Sequence, residues 1–216
     1  MKRIGIYIVI VVCILSCISS RRNLLTETRL MLVDTRATEH TAALFYNLRQ
    51  LTGKRVVYGQ HNYEMDGFDS DSTRWRDEAN RCDAYDVTGA YPALASFDFL
   101  HFTNPRSWET KELNYIQEKF HVAYNRGNVI TFCWHYYNPV PGGNFYDTTQ
   151  VVRHILPGGS YHATFKADLK IIADFAHNAK GDDGELIPII FRPWHEFDGN
   201  WFWWGKNHCS VEEFKK

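Results

Sequence analysis

The sequence predicts an α/β protein whose strands run parallel, and three observations carry that prediction. Short apolar runs, each too brief for an ordinary helix, recur near Val56, Tyr91, Asn128 and Ile187. Longer stretches with apolar residues at helical spacing separate them. The runs also empty into polar residues at their C-terminal ends: His61, Asp98, His135, and the group Arg192, His195 and Glu196. Apolar strands alternating with helices bury a parallel sheet on both faces, and right-handed crossovers either curl that sheet into a barrel or spread it as a doubly wound layer. No Gly-x-Gly-x-x-Gly follows the first strand, so the nucleotide signature of the doubly wound layer is absent and the barrel is preferred.

Taken in order, Thr38 to Leu51 places Ala42, Phe45, Leu48 and Leu51 on one helical face, and Gly53 ends it. Val56 to Tyr58 reads as a strand emptying into Gly59, Gln60 and His61; His61 is open to a structural or an active-face role. Asn62 to Ser72 is a polar, acidic loop, and Thr73 to Arg81 is expected to be helical. Tyr91 to Phe99 is the second strand, near whose end Asp98 either positions a hydroxyl or a side chain, or caps a helix. Glu109 to Arg126 aligns Leu113, Ile116, Phe120 and Tyr124 on one helical face before Gly127. Asn128 to Tyr137 is the third strand, and the longer loop Asn138 to Ser160 is placed to shape a cleft. Tyr161 to Asn178 is a helix with Phe165, Leu169, Ile172 and Phe175 facing inward.

The chemistry concentrates in Ile187 to Gly205, IPIIFRPWHEFDGNWFWWG. An apolar run bounded by Gly184 reads as a fully buried parallel strand that delivers Arg192, His195 and Glu196 to its end. Trp201, Phe202, Trp203 and Trp204 follow. A carboxylic acid among aromatic rings is desolvated, which favours its neutral, proton-donating form, and the faces of such rings pack against the C–H groups of sugars. The plainer alternative keeps the tryptophans as core and Glu196 as a surface residue at a helix start.

Residues Arg192 to Gly205, RPWHEFDGNWFWWG, resemble the acid/base motif of glycoside hydrolase family 26, best known for endo-β-1,4-mannanases. The resemblance implies a (β/α)8 barrel and retaining chemistry, with Glu196 as general acid/base, His195 beside it and Trp201 against a sugar. It also implies a sugar-contacting His135 from the tryptophan-histidine pair Trp134–His135, whereas Arg192 and Trp204 are added as neighbouring substrate-binding candidates. A complete barrel takes eight strands and about 250 residues. Four strands are predicted here, with a helix just starting at Val211, so the expectation is the first four βα units of a longer barrel. Retaining hydrolysis needs a second carboxylate. By the family pattern it is a Glu on a later strand, with Asp98 and Asp198 the substitutes within the chain. The expected substrate is mannan, galactomannan or glucomannan. The alternatives are mixed-linkage β-glucan or β-1,3-xylan, or a surface lipoprotein that binds glycans without cleaving them.

Net charge is −1 with both signs interspersed, which gives no electrostatic case for nucleic acid, and aromatics reach 15%. Met1 to Ser20 carries two basic residues and an apolar run too short to span a membrane, the pattern of an export signal. Ile14, Leu15, Ser16 and Cys17 resemble a lipoprotein processing site, making Cys17 the lipidated first residue of an envelope or surface protein; the alternative is ordinary cleavage with Cys17 discarded. The expected layout is a signal over residues 1–17, a linker over 18–37 and the first half of a catalytic domain over 38–216. Cys82, Cys133 and Cys209 match no metal-site spacing; a Cys82–Cys209 bridge is open, and Cys133 reads as a small buried hydrophobe. Acid/base and carboxylate chemistry requires neither metal nor organic cofactor.

Overall fold

In a computed structural model the described residues are 31–216, apart from 77, 79 and 104–109, and for 110–112 the backbone only. The export signal and Cys17 lie outside them. The chain divides into two compact units meeting at Val56 and Val57.

The first unit contains helix α1, Glu39–Leu51. Thr38 caps it by accepting a hydrogen bond on its hydroxyl from the Thr41 N–H, and Gly53, at φ +73°, turns the chain out of the helix. Glu39 in the first turn and Arg49 in the last oppose the helix dipole favourably.

The second unit is built on a parallel sheet in the order β1-β4-β5-β6. Its strands are β1 (Gly59–His61), β4 (Leu94–Asp98), β5 (Val129–Cys133) and β6 (Ile189–Arg192). A separate antiparallel hairpin pairs β2 (Asp66–Phe68) with β3 (Arg74–Arg76). Helix α2 (Asp83–Thr88) follows the hairpin, and α3 (Leu100–Thr103) and α4 (Thr110–Arg126) join β4 to β5. Between β5 and β6 lie α5 (Val152–Ile155) and α6 (His162–Asn178), and α7 (Val211–Phe214) comes last.

Period-two alternation sorts the sheet into two faces. Ala95, Phe97, Ile130 and Phe132 point to the helices, where they meet Ile116, Phe120, Ile172 and Phe175 in one apolar core. Phe99 sits at the centre of that core, stacked on Phe132 at 4.2 Å and edge-on to Phe175 and Phe191. Ser96, Asp98, Thr131 and Cys133 point the other way and form a polar inner layer. The register places His61 beside Ser96, Ser96 beside Thr131, and Cys133 between Asp98 and Arg192, so these side chains converge at the C-terminal ends of the strands.

Three local expectations change, and the open cysteine pairing is decided. The first strand sits three residues later than the apolar run suggests: Gly59 to His61 pair with β4, while Val56 and Tyr58 are exposed. Glycine at 59 permits that register, because a Cβ there would lie 2.7 Å from a Leu94 methyl carbon. Within Thr73 to Arg81, β3 replaces the expected helix. Asp83 reaches across the hairpin to accept from the Trp75 indole N–H at 2.8 Å and the Phe68 N–H at 3.2 Å, and Asp71 and Thr73 close the connecting turn. Strand β6 is half-buried instead of fully buried, because it is the edge strand of the sheet among the described residues. Cys82, Cys133 and Cys209 are all free: Cys82 donates to Gln60 Oε1 and Cys209 lies beside the Trp204 carbonyl, so no Cys82–Cys209 bridge forms.

Candidate active site

The C-terminal ends of the parallel strands open into a cleft of about 670 Å³. Its lining includes His61 from β1, Cys133 and His135 from the end of β5, and Arg192, His195 and Glu196 from the end of β6.

Asp98 anchors the floor. It is nine-tenths buried, and its Oδ1 accepts from the backbone N–H of Leu100 at 2.9 Å and of His135 at 3.1 Å, while Oδ2 bonds the His135 Nδ1. Both readings of Asp98, as helix-start acceptor and as orienting carboxylate, therefore hold at once. Burial acts to raise its pKa, but the hydrogen bond and charge of His135 and the two backbone donors outweigh it and hold the carboxyl down to about 2. With both oxygens engaged, Asp98 has no lone oxygen aimed at a substrate carbon.

His135 passes the constraint on. Its Nε2 lies 3.1 Å from the Nε2 of His195, and the rings meet edge-on at 4.4 Å between centroids. Burial is the larger cause, and the neighbouring His135 the next, that push His195 down to about 4. The Nδ1 of His195 is buried with no hydrogen-bond partner among the described residues. Arg192, though exposed, ties two strands through Thr131 Oγ1 at 3.1 Å and Ser96 Oγ at 3.4 Å, and Ser96 Oγ also meets His61 Nδ1 at 3.0 Å.

Glu196 sits on the turn after β6 with φ +55°, a left-handed conformation that costs a non-glycine residue of order 1–3 kcal/mol and collects at functional sites. Its Oε2 accepts the Trp201 indole N–H at 2.8 Å. The expected aromatic enclosure of this acid is not what forms. Glu196 is exposed, and the aromatic run splits by direction: Trp201 remains 46% exposed beside the acid, whereas Phe202, Trp203 and Trp204 turn inward. Trp204, expected as a sugar-facing ring, is enclosed, stacked on Phe202 at 4.4 Å, and donates to the His195 carbonyl at 3.0 Å. It holds the turn from behind. Trp203 does the same for the other loop, donating to the Tyr136 carbonyl at 2.8 Å.

Phe145, not singled out from sequence, and Phe202 of the aromatic run pack edge-on against His135 at 5.0 and 5.3 Å. Phe145 belongs to the loop expected to shape the cleft, and buried Asn138 fixes that loop through Thr149 and Val140. Asp198 is exposed on the Glu196 turn.

A polar cleft at the C-terminal ends of parallel strands lies where α/β barrels carry their active sites. The sequence profile of glycosyl hydrolase family 26 matches residues 33–216, and the chain belongs to that family. Over 189 residues it is 38% identical to a mannan endo-1,4-beta-mannosidase of Bifidobacterium adolescentis, spanning 85% of this chain and 18% of that protein. Among solved structures, GH26C from Muricauda sp. superposes with a TM-score of 0.78 at 37% identity, over 88% of this chain and 52% of the other. The GH26 beta-mannanase of Bacteroides ovatus gives 0.74 at 36%, over 83% and 52%. The four βα units are thus those of a family 26 (β/α)8 barrel, and the chain spans about half of each of these two solved structures.

Proposed function

We propose that this chain forms part of a retaining, endo-acting glycoside hydrolase that cleaves β-1,4-mannosidic bonds in mannan, galactomannan or glucomannan. The observation that carries it is the placement of Glu196: at a strand end, on a left-handed backbone, gripped by the Trp201 N–H and adjacent to the His195–His135–Asp98 chain. Glu196 protonates the departing glycosidic oxygen and then takes a proton from the attacking water. Trp201 offers an exposed ring beside the acid for a sugar face, and His135 and His195 meet sugar hydroxyls. Arg192 keeps β5 and β6 in register under the turn.

A retaining reaction needs a second carboxylate about 5–5.5 Å from the first. Asp98 is committed to His135 and Leu100, and by the family resemblance we assign the nucleophile to a Glu on a later strand of the longer protein. Two measurements test the proposal. Glu196→Gln in the longer protein should lower turnover of galactomannan by about 10²–10⁴-fold, the usual share of a general acid/base. On an aryl mannoside whose leaving group needs no protonation it should spare the first step, read as kcat/KM or a pre-steady-state burst of the aryl alcohol, while hydrolysis of the glycosyl-enzyme slows for want of its base. Equal loss of kcat/KM on both substrates, or loss on neither, overturns the acid role. Assays on lichenan and β-1,3-xylan set the polymer preference, and higher turnover on either displaces mannan as substrate. The 216 residues alone should show no turnover.

For localisation we propose an exported protein tethered through lipidated Cys17. Among the described residues no helix is long and apolar enough to cross a membrane. Labelling with a fatty-acid analogue that persists in Cys17→Ala would refute it.

A further inference from the structure

Cys133, His135 and His195 each place a donor atom within 4.8 Å of the other two, at the floor of the cleft. Two features of their surroundings suit a metal ion. First, the Asp98 carboxylate holds His135 by Nδ1 and leaves Nε2 pointing into the cleft, the carboxylate–histidine arrangement that orients imidazole ligands. Second, the two Nε2 atoms are 3.1 Å apart, near the separation of about 3.3 Å that two nitrogens take on one tetrahedral zinc ion. A second set, His61, Asp98 and Cys133, is equally close, but Asp98 is already engaged by His135 and Leu100, and His61 Nδ1 by Ser96.

We propose that Cys133, His135 and His195 form a site for a soft divalent transition-metal ion, zinc or cobalt, with the fourth position open to the cleft. On binding, the Cys133 thiol gives its proton to solvent and the sulfur lone pair to the ion, while each imidazole gives the lone pair of a ring nitrogen. One thiolate, two imidazoles and an open position match the donor chemistry of zinc sites that keep an exchangeable ligand. The ion would occupy the imidazole nitrogens that the proposed glycosidase turns toward sugar hydroxyls, yet the site stands on its own donor geometry and not on that reaction.

The test is cobalt(II) titration of the protein without substrate, in a Cys82→Ser/Cys209→Ser background and under reducing conditions. The expected result is one equivalent bound, with a near-ultraviolet thiolate-to-cobalt band and strong visible bands of a four-coordinate ion, both displaced by zinc. Cys133→Ser should abolish the thiolate band, and His195→Ala should weaken cobalt binding by tenfold or more. Asp98→Asn should weaken it by about 10–100-fold, as loss of an outer-shell carboxylate does. Circular dichroism of each metal-free variant separates ligand loss from unfolding. A missing thiolate band in the folded protein, or one that survives in folded Cys133→Ser, overturns the site. Neither outcome bears on Glu196, whose role is read from hydrolysis alone.

Discussion

The carboxylate of Asp98 grips His135 at two points, its backbone N–H and its Nδ1, and so fixes which ring nitrogen faces His195. Asp98→Asn keeps the shape but sets an amide against Nδ1, which favours the other tautomer of His135. Stability is affected with a definite sign. The folded pKa, about 2, lies below the usual 3.8, so the native carboxylate is favoured. The contribution, about 2 kcal/mol, is fully present above about pH 4 and lost as pH falls toward 2. Wild type should therefore exceed Asp98→Asn by about 2 kcal/mol in urea unfolding at neutral pH, and the gap should close near pH 2. A gap independent of pH would show that the carboxylate's charge contributes nothing.

His195 gives a second window. Its folded pKa is depressed from 6.5 to about 4, chiefly by burial. Above about pH 6.5 the imidazole is neutral in both states and the native fold has its full stability. Between about 6.5 and 4 the unfolded chain takes a proton that the native chain does not, so stability declines as pH falls. Partial exposure of the ring holds the loss to about 1–3 kcal/mol. His195→Gln should flatten the stability profile in that window, measured by denaturant midpoints at a series of pH values, and an unchanged slope would assign it to other groups.

Phe99 meets four rings in the core between sheet and helices, those of Phe102, Phe132, Phe175 and Phe191. Phe99→Ala leaves a cavity between the sheet and α6 that the surrounding rings fill only in part. The expected loss is about 3–5 kcal/mol by chemical denaturation. A loss below about 1 kcal/mol would mean that the neighbouring rings collapse into the space.

The parallel sheet and long helices were legible because their apolar residues repeat at the periods of strand and helix, and local spacing is enough to reveal that. The end of α1 was legible in Gly53, whereas Thr38, read as the first helical residue, is its cap. The hairpin was not, because Asp83, which gathers Phe68 and Trp75, acts from beyond the segment. The register of β1 depends on Gly59 fitting against Leu94, a contact 35 residues distant in the chain. At the site, sequence brought Glu196 and its aromatic neighbours together but could not say which way each ring turns. Adjacent tryptophans 203 and 204 enter the core while Trp201 stays at the surface, and that division decides how exposed the acid is. The Cys133–His135–His195 cluster was hidden because the parallel pairing of β5 with β6, not a spacing motif, assembles it.

Trp201 combines two contributions that substitution can separate. Its indole N–H holds Glu196 Oε2 at 2.8 Å, and its half-exposed ring offers a face to sugar. Trp201→Phe retains an aromatic face and removes only the donor. Since both groups are at the surface, the fold should change by no more than about 0.5 kcal/mol. If the donor holds the acid in its productive position, kcat on galactomannan falls about tenfold while KM changes little, because a lost positioning contact acts in the transition state and not on ground-state binding. Trp201→Ala removes the face as well and should then raise KM. Should Trp201→Phe leave kcat intact while Trp201→Ala raises KM, the indole serves as a platform alone and the grip on Glu196 is incidental.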